Sequence, residues 1–124
     1  MNILYVEDSL TLVNMVKIFL EQKGIKVFAT DNVDEAVDIL NKEKIDFVLS
    51  DIILRGTIKT GYILVREMKK DDRFKNIPIM LTSTRDAKAA TVTAKKVGAR
   101  DFIEKPFGME DLYQKIISII NENT

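Results

Sequence analysis

At 124 residues the chain is the length of one domain, enough to bury a core of its own. It is 46% hydrophobic and 31% charged, and its nineteen basic residues balance nineteen acidic ones, so no net field draws it to nucleic acid or to an anionic membrane. Having neither Cys nor His, it excludes disulfides, thiolate nucleophiles and imidazole bases, and any metal must be held by oxygen.

Ile3-Leu4-Tyr5-Val6 reads as a short buried strand running into Glu7-Asp8. Ser9 is placed to cap a helix whose apolar residues Leu12, Val13, Val16, Phe19 and Leu20 recur at helical spacing, and Gly24 ends it. Residues 25–29 form a modest strand. Asn32 or Asp34 caps the next helix, which carries Ala36, Val37, Ile39 and Leu40. Phe47-Val48-Leu49-Ser50-Asp51 is a strand buried on both faces that ends in a single carboxylate. Residues 52–60 are irregular, and Gly61 opens a helix through Ile63, Leu64, Val65 and Met68. Residues 71–76 are a polar connection, and residues 77–82 a fourth strand with Pro78 early enough to spare the ladder. The helix over 86–97 has only Ala87, Ala90, Ala94 and Val97 as its core face, so it is predicted to be loosely held. Gly98 ends it, residues 101–104 form a fifth strand, Lys105-Pro106-Phe107 follows, and the last helix carries Leu112, Tyr113, Ile116, Ile117 and Ile120. With no targeting segment at its start and no apolar run of membrane-spanning length, the chain is expected to be cytoplasmic, with no membrane partner.

Five strands alternating with five helices imply right-handed crossovers and a parallel sheet covered on both faces, an α/β three-layer sandwich. The strand order is not readable from these patterns. In any parallel sheet, however, Glu7-Asp8, Asp51, Thr82 and Lys105 all leave their strands at the same carboxyl edge, where open α/β sheets place ligands. An isolated Asp at a strand end is ordinarily a turn or cap residue. Here three carboxylates, a hydroxyl and an ammonium converge. Two carboxylates about 4 Å apart repel by roughly 4 kcal/mol at an effective dielectric of 20, so three together call for a cation. Lys105 supplies one positive charge, and hard oxygen ligands suit Mg²⁺.

The segments Tyr5-Val6-Glu7-Asp8-Ser9, Leu49-Ser50-Asp51, Met80-Leu81-Thr82-Ser83 and Gly98-Ala99 through Lys105-Pro106-Phe107 resemble the signatures of response-regulator receiver domains, in order and over the whole chain. The resemblance implies a flavodoxin-like (βα)5 sandwich with strand order 2-1-3-4-5. It implies that Asp51 is a phosphoacceptor, that Asp8, Asp51 and the backbone carbonyl of Ile53 bind Mg²⁺ or Mn²⁺, and that Glu7 acts partly through water. Thr82 matches the switch hydroxyl, Lys105 the lysine that pairs with the phosphoryl group, and Phe102 the switch aromatic. The family's Lys-Pro bond is cis. The implied partners are a sensor histidine kinase or a phosphotransfer protein as donor, since this chain has no His of its own, and a protein target reached through the fourth helix, fifth strand and fifth helix. The chain is expected to be a receiver over residues 1–124 with no output domain, and to catalyse only its own phosphorylation and dephosphorylation.

Receivers usually follow the acceptor with a Met-Pro turn and reach a Gly about eight positions on. Here there is no proline and Gly61 lies ten positions after Asp51, so the loop over 52–60 is two residues longer. It reads either as a tolerated surface insertion or as a recognition loop in which Arg55 and Lys59 contact a donor or partner. Ile53, with Thr84 on the other flank, is expected to overhang the phosphoryl group and slow attack by water. Two other readings compete. A Mg²⁺-dependent aspartyl-phosphate phosphohydrolase normally carries a second Asp where this chain has Ile53. A phosphorylation-independent interaction module normally lacks one of the acidic pair, the acceptor or the lysine, all of which are kept here.

Overall fold

The five short apolar runs form five parallel strands, and the amphipathic segments between them form five helices. The computed structural model describes residues 1–84 and 86–122. In chain order the elements are β1 (Asn2–Val6), α1 (Leu10–Gln22), β2 (Lys26–Thr30), α2 (Val33–Lys42), β3 (Phe47–Asp51), α3 (Gly61–Lys70), β4 (Ile79–Ser83), α4 (Ala87–Val97), β5 (Asp101–Glu104) and α5 (Met109–Glu122). The sheet order is β2-β1-β3-β4-β5, as the resemblance implied. No helix among the described residues is long and apolar enough to cross a membrane.

Alternate side chains of each strand go to opposite faces, and this divides the core in two. Leu4, Val6, Val48, Ile79 and Leu81 pack with α2, α3 and α4, while Ile3, Tyr5, Phe47, Leu49 and Met80 pack with α1 and α5. Strands β3 and β4 are buried along their whole length, which is why both read as nearly unbroken apolar runs.

Several boundaries differ from the sequence expectation for local reasons. Strand β4 starts at Ile79 rather than at residue 77, because Pro78 has no N–H for the ladder; its carbonyl instead accepts from the Val48 N–H. Strand β2 is shifted by one residue, with Lys26 opposite Asn2 and its N–H donating to the Met1 carbonyl. Asn32 rather than Asp34 caps α2, its Oδ1 accepting from the Glu35 N–H at 2.8 Å. On α5 the buried stripe is Leu112, Ile116 and Ile119, with Ile120 only half-buried.

Helix α4 buries Ala90 and Ala94 alone, whereas Ala87 and Val97 are half-buried. It is fixed at its ends instead. Asp86 caps it by accepting from the Lys88 and Ala89 N–H groups, and Gly98, at φ 106°, turns the chain out of it.

The start of α3 is pressed against the end of β3. A Cβ on Gly61 would run into the carbonyl oxygen of Asp51 and lie 3.2 Å from Ile52 Cα, while the Gly61 N–H donates to the Ile52 carbonyl at 2.8 Å. Only glycine permits this approach. Gly61→Ala is expected to force α3 and the end of β3 apart and to lower stability by about 1–3 kcal/mol. Urea unfolding measures this, and an unchanged midpoint would contradict it.

Candidate functional site

Main-chain bonds that continue the ladder past the strand ends deliver the site residues. The Glu7 N–H donates to the Thr30 carbonyl, the Ile52 N–H to Thr82 and the Lys105 N–H to Ser83, each at 2.9 Å. Val6 lies opposite Ser50, and Asp51 opposite Thr82. The first and third strands are therefore neighbours, and their carboxylates meet at one edge.

Lys105 Nζ donates to Glu7 Oε1 and to Asp51 Oδ2, both at 2.5 Å. Asp51 Oδ1 also accepts from the Ile53 N–H at 3.2 Å, and Glu7 Oε2 from the Ser9 N–H at 3.0 Å. Asp8 Oδ2 accepts from the Arg55 N–H at 2.8 Å, with Arg55 Nε 3.9 Å away. One oxygen from each of Glu7, Asp8 and Asp51 lies within 4.8 Å of the others. Together with Ile53, Arg55, Ser83 and Thr84 these groups line a cavity of about 380 Å³.

Charge is unevenly tolerated in this cavity. Glu7 is 2% exposed, and burial pushes its carboxyl above the usual range, against the pull of the Lys105 and Ser9 hydrogen bonds. Burial works on Lys105 in the opposite direction, but the hydrogen bonds and charges of Asp51 and Glu7 outweigh it and hold its ammonium above the usual lysine value. At Asp8 burial opposes ionisation, yet the Arg55 N–H, contact with Glu7 and the Arg55 charge keep the carboxyl below its usual range. Three clustered carboxylate oxygens and one ammonium are a hard-oxygen set short of positive charge, and they fit Mg²⁺ or Mn²⁺.

Glu7, Asp8, Asp51, Lys105 and Ile53 line one cavity, as expected. Thr82 does not. It is fully buried beside Asp51 in the ladder, and its hydroxyl has no hydrogen-bond partner. Phe102, opposite Leu81, is buried in the same core cluster as Ala90 and Ala94 of α4. The Lys105-Pro106 bond is cis. Of the two loop cations, Arg55 reaches the cavity, whereas Lys59 Nζ pairs with Asp34 on α2.

Sequence reasoning missed three contributors. The N–H groups of Ser9 and Arg55 hold Glu7 and Asp8, and no side-chain pattern signals them. Tyr5 was readable: two residues before Glu7, it shares that residue's face of the strand. Its hydroxyl is buried without a hydrogen-bond partner, and burial, with the Glu7 and Asp51 charges, pushes the phenol well above its ordinary range, so it remains a hydroxyl.

Residues 3–117 match the response regulator receiver domain family. The chain is 33% identical to the protein PilH of Pseudomonas aeruginosa, covering 95% of this chain and 96% of that one. It is 30% identical to the phosphate regulon transcriptional regulatory protein PhoB of Escherichia coli, covering 95% of this chain and 51% of that one. The chain thus spans about half the length of several curated transcriptional regulators that it matches. Among solved structures, the chemotaxis response regulator CheY4 of Vibrio cholerae superposes with a TM-score of 0.87 at 26% identity, over 95% of this chain and 97% of that one. The acidic cavity at the β1–β3 edge is thus set in a fold and a sequence that agree, and the chain belongs to the receiver-domain family of two-component response regulators.

Proposed function

We propose that Asp51 accepts a phosphoryl group from a phosphohistidine, carried by a sensor histidine kinase or a phosphotransfer protein, in a reaction dependent on Mg²⁺ or Mn²⁺. The observation that carries this reading is the Asp51 carboxylate, held between the Lys105 ammonium and the Ile53 N–H in a cavity shared with Glu7 and Asp8. An Asp51 oxygen attacks phosphorus, the P–N bond of the donor breaks with its electron pair returning to the imidazole, and Asp51 keeps the group as an acylphosphate. Asp8, Asp51 and the Ile53 carbonyl would hold the metal, with Glu7 acting partly through water; bound there, it supplies positive charge to the phosphoryl oxygens. Lys105 transfers its hydrogen bond from the Asp51 carboxylate to a phosphoryl oxygen.

Thr82 gives the switch. Its buried, unpartnered hydroxyl is a donor without an acceptor, and a phosphoryl oxygen on its ladder neighbour provides one. Bonds from Thr82 and Lys105 to the phosphoryl group are worth about 1.5–3 kcal/mol each. Together they amount to about 3–6 kcal/mol, which only at its upper end meets the roughly 5.5 kcal/mol that takes a two-state equilibrium from 1:99 to 99:1. The shift passes through Phe102, which shares a core cluster with the two alanines holding α4, to the α4-β5-α5 face. That face then engages a protein target or a second copy of the chain. The chain acts on no other substrate; it catalyses its own phosphorylation and dephosphorylation.

Incubating the chain with a small phosphodonor and Mg²⁺ is expected to add one phosphoryl group by intact mass, and none to Asp51→Ala. No adduct on the wild type would remove the reading.

Ile53 is 46% exposed and lines the cavity with Thr84, so it is placed to hinder attack by water on the acylphosphate. Ile53→Asn is expected to shorten the lifetime of the adduct severalfold, and an unaltered decay rate would clear the side chain of that role.

The raised Glu7 carboxyl has a consequence for stability. Its contribution is favourable below the ordinary value of 4.5 and is lost as the pH rises through the raised one. In metal-free buffer the melting temperature of wild type relative to Glu7→Gln should therefore fall as the pH rises above 4.5, and Mg²⁺ should raise that of wild type more. Parallel pH profiles for the two proteins would show that Glu7 carries no such strain.

A further inference from the structure

We infer that Arg55 is a second phosphoryl-binding cation, presented to the cavity by the lengthened β3–α3 loop; this rests on the reading of Asp51 as phosphoacceptor. Among the described residues, Lys105 and Arg55 are the only cations that line the cavity. The main chain on either side of Arg55 is anchored while its side chain is not. Leu54 is buried in the core cluster formed with α2, α3 and α4, the Arg55 N–H is bonded to Asp8, and Gly56, at φ 79°, turns the chain away immediately afterwards. The Arg55 side chain itself is 93% exposed, its only ion pair among the described residues the 3.9 Å approach of Nε to Asp8. An exposed pair of this kind is weak and readily exchanged.

The charge count gives this arm a role. Glu7, Asp8 and a phosphoryl group on Asp51 together carry about four negative charges near neutral pH. Lys105 and one divalent cation supply three positive ones, and Arg55 supplies the fourth. Lys105 is a point charge that also bonds to Glu7, whereas a guanidinium fork can bond two phosphoryl oxygens at once. As the group transfers from acetyl phosphate, an Asp51 oxygen bonds to phosphorus, the bond from phosphorus to the acetyl oxygen breaks, and acetate leaves with the electron pair. Arg55 keeps all its protons and only hydrogen-bonds to the oxygens in flight.

The test follows adduct formation from acetyl phosphate at saturating Mg²⁺ by intact mass, for wild type, Arg55→Ala and Arg55→Lys. Mg²⁺ affinity is measured separately by calorimetry with no phosphodonor present, and thermal melts check folding. Arg55→Ala should be about tenfold slower, the loss of one charge-assisted hydrogen bond, with Mg²⁺ affinity unchanged or tighter. Arg55→Lys should recover only part of the rate. A rate for Arg55→Ala within about twofold of wild type overturns the inference. So does a slower rate matched by a proportional loss of Mg²⁺ affinity, which would place the residue's effect on the metal. Wild type that takes no phosphoryl group at all overturns the Asp51 reading and this one with it, whereas a phosphorylated wild type matched by Arg55→Ala overturns this one alone.

Discussion

Three carboxylates share one ammonium at the carboxyl edge of the sheet, and most of the architecture serves to keep them there. Unscreened by a cation, each pair at such spacing repels by roughly 4 kcal/mol at an effective dielectric of 20. Lys105 bonds to two of the three. What holds the cluster against this repulsion is the ladder, which runs beyond the strands to fix Glu7, Ile52 and Lys105 by main-chain bonds. Rigidity in β1, β3 and β4 and strain at their ends are two sides of the same arrangement. Whatever brings positive charge to this edge relieves that repulsion.

Packing is graded around the sheet. Helices α1 and α5 are held by Val13, Val16, Leu20, Leu112, Ile116 and Ile119, side chains each worth about 1.5–3 kcal/mol when buried. Helix α4 has two alanine methyl groups in their place. Both of its ends are nevertheless well made, with Asp86 at one and Gly98 at the other, so it can move as an intact rod rather than melt. A small rearrangement at β4 and β5 therefore meets least resistance on the α4 side.

The amino-acid pattern carried the strands, the helices and the convergence of acidic residues on one edge, because a parallel sheet sends every strand end to the same place. Asp51, Glu7, Asp8 and Lys105 were legible for that reason. The adjacency of β1 and β3 was not, since apolar periodicity says nothing of which strands neighbour each other; it came from resemblance, and the ladder bears it out. Pro78 misled the start of β4 although its missing N–H was in view. Gly61 read as a helix opener, whereas its approach to the Asp51 carbonyl depends on a contact ten residues apart in sequence. Lys59 and Arg55 looked equivalent on the loop until α2 placed Asp34 beside one and the cavity edge placed Asp8 beside the other.

The bond from the Gly61 N–H to the Ile52 carbonyl closes the β3–α3 loop at its base. With both ends pinned at 2.8 Å, whatever lies between them is an excursion whose length does not propagate into β3 or α3. Doubling such a loop costs only about 0.6 kcal/mol of closure entropy. The geometry of Asp51 and the loop's exposed side chains are thus separable variables. A lineage, or an engineer, can change exposed side chains such as Ile53 and Arg55 to alter what stands over the cavity, while buried Leu54 and the main-chain bonds from Ile53 to Asp51 and from Arg55 to Asp8 keep the carboxylates beneath in place.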